Sequence, residues 1–278
     1  MAEITANLVA QLREMTGVGM MQCKKALLET QGDIDTAVDV LRKQGIAKAG
    51  AKAAREAREG IIAQYIAPGA RLGVLIEINC ETDFVAKNDS FRAFAATAAR
   101  QLAENPAADI EALRVQQVAT IGENIRIARH QRLEVSGIGL VAAYIHTGAK
   151  VGVLVEVGAG KEATLAREEF KQFVKDVTLQ VAAATPQAVT RDQLAPDLIA
   201  KEREIATEQV KDKPPQAIAK IVEGKLEKYY QTHCLIDQGF IKKNSEISVK
   251  EHLASLAGPL GDEIQIRGFV RYQIGEAG

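Results

Sequence analysis

Residues 60–77 read GIIAQYIAPGARLGVLIE, and residues 139–156 read GLVAAYIHTGAKVGVLVE. The two stretches align without a gap at an offset of 79. Ten of the eighteen positions are identical: Gly60, Ala63, Tyr65, Ile66, Gly69, Ala70, Gly73, Val74, Leu75 and Glu77. The offset carries into the following segment, where Phe91 and Phe94 match Phe170 and Phe173. An internal repeat constrains architecture more tightly than any short motif, so the rest of the chain is parsed around it. Each copy reads as a strand, a tight Gly turn (PGA or TGA), a second strand and an amphipathic helix. A closing strand should complete each unit, ENIRIARHQRLEV (123–135) in the first and DEIQIRGFVRYQIG (262–275) in the second.

The second closing strand arrives late because another pattern intervenes. APDLIAKEREIATEQV (195–210) places Leu198, Ile199, Ile205 and Val210 on one side, and QAIAKIVEGKLEKYY (216–230) carries Ile218, Ile221, Val222, Leu226 and Tyr229. Lys213-Pro214-Pro215 cannot continue a helix, so the two segments are expected to fold back as an antiparallel helical hairpin. Ahead of the repeat, three short helices are expected. Thr5 caps the first, which carries Leu8, Leu12 and Met15 and stops at Gly17; the second closes at Gly32; Asp33 caps the third, which stops at Gly45. AKAGAKAAREAREG then reads as a solvated basic linker helix. The expected fold class is α+β, with an N-terminal three-helix module at 1–45 and a linker at 46–59. The core is two duplicated α/β subdomains with antiparallel sheets, at 60–138 and at 139–194 with 231–278, and the helical hairpin is inserted at 195–230.

Composition narrows the function. The 278 residues are 47% hydrophobic, enough for a sizeable core, and 35 basic residues nearly balance 36 acidic ones. That balance lacks the electrostatic footprint of a dedicated nucleic-acid binder. With no Trp and 4% aromatic residues, base-stacking platforms are not expected either. Cys23, Cys80 and Cys234 are widely spaced without a CxxC pair, which argues for a reducing compartment and against zinc or disulfides. No signal-peptide pattern and no membrane-length apolar run is present, so a soluble cytoplasmic protein is expected.

No catalytic constellation emerges. His130, His146, His233 and His252 form no HxxxH or HExxH pair, GVGMMQCKK lacks the GxxxxGK[ST] of a phosphate loop, and GxSxG is missing. Glu77 and Glu156 occur one per copy, which points to structure. Glu81 and Asp83 are two carboxylates on one loop, and a metal-dependent site on Glu77, Glu81 and Asp83 would have no His ligand or nucleophile nearby. No metal or cofactor is therefore expected.

The loop Glu81-Thr82-Asp83-Phe84-Val85 remains. Its plain reading makes Thr82 or Asp83 a helix cap and Phe84 a core residue. At the repeat offset, however, Thr82-Asp83-Phe84-Val85 faces Lys161-Glu162-Ala163-Thr164. A Phe required by a shared scaffold should meet apolar bulk at Ala163, so the comparison places function in the first loop. A non-catalytic adaptor would have no use for a projecting Phe in one of two repeats.

The strings EITANLVAQLREMTGVGMMQCKKALLE, NCETDFVAKN, IGENIRIAR, YIHTGAKVGVLVE and GFVRYQIGE, spread over nearly the whole chain, closely resemble bacterial elongation factor Ts, the family of guanine-nucleotide exchange factors for elongation factor Tu. The resemblance implies a ubiquitin-associated-like N-terminal module, two related α/β subdomains and an inserted helical hairpin. It also implies that Thr82, Asp83, Phe84 and Val85 intrude beside the partner's Mg²⁺ site, with Phe84 as the wedge. Further contacts to elongation factor Tu would fall on Lys24, Lys52, Ile121, Gly122 and His146. GDP, GTP and Mg²⁺ belong to the partner, so no cofactor, direct nucleic acid or membrane is implied for this chain. The arm at 195–230 is left open between dimerising the factor, touching the partner, or both. Two departures stand out: the sequence ends at RYQIGEAG, where some members continue into a C-terminal helix that touches the partner, and Thr147 stands where the family often has Gly.

Overall fold

The computed structural model describes residues 4–276. Met1–Glu3 of the expected N-terminal module and the last two residues of the expected second subdomain lie outside the described residues. Three helices open the chain: α1 (Ala6–Thr16), α2 (Met20–Glu29) and α3 (Ile34–Lys52). Thr5 caps α1 by accepting from the Leu8 amide, Gly17 ends it at φ 67°, and Asp33 caps α3 by accepting from the Thr36 amide at 2.6 Å. Their core is Val9, Leu12, Val18, Cys23, Ala26, Leu27, Ala37 and Leu41.

Two expectations fail here. Met15 is 54% exposed and Thr16 is buried in its place, because the inward stripe of α1 runs through Val9, Leu12 and Thr16. Gly45 does not stop α3, which continues to Lys52. A Cβ at Gly45 would lie 3.4 Å from Ala119 Cβ and 3.6 Å from Val115 Cγ1, so the glycine marks a close helix crossing. Much of the expected linker is thus the last turns of α3.

The centre of the molecule holds two three-stranded antiparallel sheets. The first has the order β1 (Glu59–Ile66), β2 (Leu72–Cys80), β3 (Arg126–Glu134); the second has β4 (Gly139–Ile145), β5 (Val151–Ala159), β6 (Ile264–Gln273). On the outer face of the first lie α4 (Asp83–Ala86) and α5 (Asp89–Glu104), with α6 (Ile110–Ile121) packed against α5 and α3. The second is covered by α7 (Glu162–Leu165), α8 (Glu168–Ala184) and α11 (Val249–Leu260). The inner faces meet through Ile62, Leu75, Val135, Val141 and Leu154. Covered on both faces, β2 and β5 are buried from their second residue to their last, and for that reason read as continuous apolar runs.

The contact between sheets is reciprocal. The Ile62 amide donates to the Ala149 carbonyl, and the Val141 amide donates to the Ala70 carbonyl, both at 2.7 Å. Glycine makes this approach feasible: a Cβ at Gly152 would lie 2.3 Å from Ile62 Cγ2, and one at Gly73 would lie 2.8 Å from Val141 Cγ1. Register shifts fall between Glu77 and Ile78 in one sheet and between Glu156 and Val157 in the other. Beside each shift a buried glutamate is paired, Glu77 with Arg129 at 2.7 Å and Glu156 with Arg267 at 3.2 Å. Each acid thus has a structural partner, since an unpaired carboxylate could not be buried there.

The arm consists of α9 (Pro196–Glu208) and α10 (Pro215–His233), with Pro215 at the first helical position, where its missing N–H is not needed. Its core is Ala206, Val222 and Leu226, flanked by Ile199, Val210, Ile218 and Tyr230. Ile205, expected on the inward side, is 42% exposed, and its neighbour Ala206 faces α10.

Candidate functional site

Strand pairing ends where the loop of interest begins. The β1–β2 ladder finishes at Glu59 with Cys80, and the β2–β3 ladder at Asn79 with Arg126. Beyond it, Asp83–Ala86 form a single helical turn, α4, capped by Thr82, whose hydroxyl accepts from the Val85 amide. The turn is amphipathic at single-residue resolution. Ala86 is buried in the first sheet's core, Val85 packs partly against it, and Phe84 points the other way, 80% exposed. Fully burying a Phe is worth about 1.5–3 kcal/mol, a gain that this ring forgoes in the isolated chain. The expectation of Phe84 as a core residue is thereby excluded. At the matching position in the second half, α7 presents Ala163 to solvent.

Asp83 forms an ion pair with Lys87 one turn on, at 2.6 Å, and that contact holds its carboxyl below the usual carboxylate range. Cys80 donates its thiol to the Thr82 carbonyl at 3.2 Å. Burial, reinforced by the charge of Glu123, pushes this thiol up to about 12, so it is a neutral structural donor and no nucleophile.

A hydrogen-bond network absent from the sequence reading fixes the loop. Glu123, in the turn between α6 and β3, accepts from the amides of Glu81 and Thr82 through Oε2, each at 3.0 Å, and from the Thr82 hydroxyl through Oε1 at 2.6 Å. In return, Glu81 accepts from the Asn124 amide at 2.6 Å and from Arg55 at 3.4 Å. The Asn124 side chain donates to the Arg55 carbonyl at 2.6 Å, and Lys52 donates to the Gly122 carbonyl. The end of α3, the 122–124 turn and the 81–85 loop are therefore one hydrogen-bonded unit.

Of the candidates named from sequence, this unit gathers Lys52, Ile121, Gly122 and Thr82–Val85. His146 stands apart, exposed on the β4–β5 turn with its Nδ1 2.8 Å from the Tyr144 hydroxyl. It lines a groove with Ile61, Ile62, Gly148 and Arg92, and Arg92 donates to the Ala86 carbonyl at the end of α4, so the groove adjoins the loop. Lys24 is exposed on α2, in the opening three-helix bundle, beside exposed Met20 and Met21. Among the described residues no group of three or more His, Cys, Asp or Glu is placed to hold a metal ion, and no helix is long and apolar enough to cross a membrane.

The second half repeats the clamp. Asp262, just before β6, accepts from the amides of Gly160 and Lys161 at 3.1 and 2.9 Å, and from the Thr164 hydroxyl. These hydrogen bonds, the one from Thr164 first, hold Asp262 below the usual carboxylate range. An acid shortly ahead of each closing strand, Glu123 in ENIRI and Asp262 in DEIQI, is the one sequence signal that could have pointed to the pair.

Together the site is a pinned loop, held by the carboxylates of Glu81 and Glu123, that presents one apolar ring to solvent. Comparison with known proteins gives the family. A family model described as elongation factor TS matches residues 81–276. The chain is 43% identical to an elongation factor Ts from Nostoc punctiforme, over 99% of this chain and 94% of that protein. Proteins of the same name from Symbiobacterium thermophilum and Nautilia profundicola are 42% and 40% identical, each over 99% of this chain and 93% and 94% of their own lengths. The chain belongs to the elongation factor Ts family.

Proposed function

We propose that this chain is a guanine-nucleotide exchange factor that binds elongation factor Tu with GDP and promotes GDP release so that GTP can enter. Thr82, Asp83, Phe84 and Val85 are the segment that intrudes beside the partner's Mg²⁺ site. The observation that carries this reading is Phe84, fully shaped and pinned for contact yet left in solvent. An apolar ring cannot ligate Mg²⁺. It occupies space that opens when the partner's Mg²⁺ and phosphate contacts shift, and its burial there favours the shifted state. Mg²⁺ and the phosphate-cradling loop offset most of the nucleotide's charge, so their displacement weakens GDP. By linkage, a factor that weakens nucleotide is weakened by nucleotide to the same degree, so incoming GTP expels it unchanged. No covalent bond changes in this cycle, and the chain acts as a binding protein in the cytoplasm.

Lys24, Lys52, Ile121, Gly122 and His146 are assigned as further contacts to elongation factor Tu. The adjacency of Lys52, Ile121 and Gly122 to the loop favours this for three of them, and the His146 groove beside α4 favours it for a fourth. The division into a ubiquitin-associated-like module (1–45), a linker (46–59), two duplicated subdomains (60–138; 139–194 with 231–278) and an arm (195–230) is part of the same reading. The reciprocal Ile62–Ala149 and Val141–Ala70 bonds, each 79 residues from the other, favour the duplication. The arm is assigned to assembly, through dimerisation or contact with the partner.

Release of a fluorescent GDP analogue from elongation factor Tu tests the reading. Losing the burial of one Phe, about 1.5–3 kcal/mol, should slow stimulated release by roughly 10- to 100-fold in F84A, with the fold intact by circular dichroism. Release at the unmodified rate would overturn the assignment of Phe84 as the wedge.

A further inference from the structure

We propose that Glu123 is the positioning residue for Phe84, holding the ring in the attitude it needs to enter the partner; the inference rests on the wedge reading above. Four residues of helix do not hold themselves, since a first turn fixes several dihedral angles for one hydrogen bond. The attitude of α4 must therefore be imposed from its two ends. At the C-terminal end Ala86 is seated in the core. At the N-terminal end the ladder has stopped, and the amides of Glu81 and Thr82 have no strand carbonyl opposite them. Glu123 supplies the missing acceptor to both through one oxygen, and with the other accepts a hydrogen bond from the hydroxyl of Thr82, whose oxygen caps α4. Glu81 returns the arrangement by accepting from the Asn124 amide. Two side-chain carboxylates thus extend the β2–β3 pairing by one step, and that step ends two residues before Phe84. Charge-assisted bonds of this kind are shorter and stronger than neutral ones, which suits a mount that must not yield when the ring meets its target.

The second half separates positioning from general scaffolding. Asp262 likewise accepts from two amides and one Thr hydroxyl of its own loop, the hydroxyl coming from Thr164 within α7 instead of from the cap residue, yet that loop carries Ala163 where Phe84 projects. The clamp fixes a loop, and only in the first half does the loop carry a ring to aim.

The test is a double-mutant cycle on stimulated GDP release from elongation factor Tu at saturating factor, with E123A, E123Q, F84A and E123A/F84A, each checked by thermal unfolding. E123A should release GDP about tenfold more slowly than the unmodified factor, because the ring stays but its orientation is lost. E123Q, whose amide oxygen can still accept both backbone N–H groups, should stay within about threefold of the unmodified rate. In the F84A background, removing Glu123 should cost no more than about twofold, since a mount without a ring has nothing to aim. Slow F84A with normal E123A, or fully additive losses, would overturn the positioning role and leave the wedge standing. Normal release by F84A would overturn the wedge and this inference with it. Should E123A not fold, amide exchange on the unmodified chain decides: the Glu81 and Thr82 amides should be protected, and exchange at solvent rates would refute the clamp.

Discussion

His252 lies against the ring of Phe240, stacked at 4.7 Å between centroids, and is tilted against Phe173 at 5.8 Å. Burial holds its pKa below the ordinary histidine value, with Lys243 lowering it further and Asp176 opposing. The folded state thus prefers the neutral ring, while the unfolded chain takes up a proton near pH 6.5. Unfolding therefore binds a proton on acidification, so stability is held above about pH 6.5 and falls as pH drops through the folded pKa. The drop in urea-midpoint between pH 7 and 5 should be smaller in H252L than in the unmodified protein; equal drops would show that His252 does not carry it. Residue-scale roles were unevenly legible in the sequence. Phe84 could be picked out because a repeat gave it a counterpart, Ala163. Glu123 had only the weak signal of an acid ahead of each closing strand, because two of its three partners are backbone amides, which carry no sequence signature. Met15 and Ile205 were misplaced by one position each, since a sequence stripe locates a helix face only to within about a residue.

At the scale of elements, the hairpins, the arm and the helix caps were readable because each rests on local chemistry: Gly turns, Pro at a helix start, Thr and Asp at N-caps. Helices α6 and α11 were missed. In α6 only Ile110 and Val118 are buried, so its apolar pattern is too sparse to declare a face. The error at Gly45 has a different origin. Glycine after an apolar run signals a stop, but it also permits helices to approach, and only the presence of Val115 and Ala119 across the contact distinguishes the two. Substitution separates them as well. Alanine at a left-handed stop would be strained, whereas in α3 its Cβ would meet Ala119 at an ordinary 3.4 Å and gain about 0.8–1 kcal/mol of helix propensity over glycine. G45A should be neutral or more stable by up to about 1 kcal/mol in urea unfolding, and G45L should be less stable by about 1–3 kcal/mol from overpacking. A destabilised G45A would contradict the crossing.

Across the whole molecule, the two sheets depend on each other while the arm does not depend on them in the same way. Ile62 and Val141 each bond to the other sheet's turn, and Gly73 and Gly152 allow that closeness, so neither sheet keeps its inner face dry alone. The arm is tied at its root. The Gln187 amide donates to the His233 carbonyl at 2.8 Å, the Leu235 amide donates to the Ala188 carbonyl at 2.9 Å, and Arg191 bridges Glu227 and Asp237. Ala188, Leu194 and Cys234 close a small cluster there with Ile199, Tyr229 and Tyr230, whereas Ala206, Val222 and Leu226 pack chiefly between the arm's own helices. Excising 200–226 and joining the ends with a short Gly-Ser linker therefore removes a self-contained core while leaving the root cluster in place. Flexible loops of this size cost little to close, so the thermal midpoint should move by only a few degrees. If Phe84 on its mount is the working part, GDP release from elongation factor Tu should stay within about threefold of the intact chain, because the loop sits on the first sheet and the arm emerges from the second. Assembly should change instead, read as sedimentation of the factor alone and with its partner. A folded excision variant with no stimulated exchange would mean that the arm supplies binding energy the wedge cannot do without.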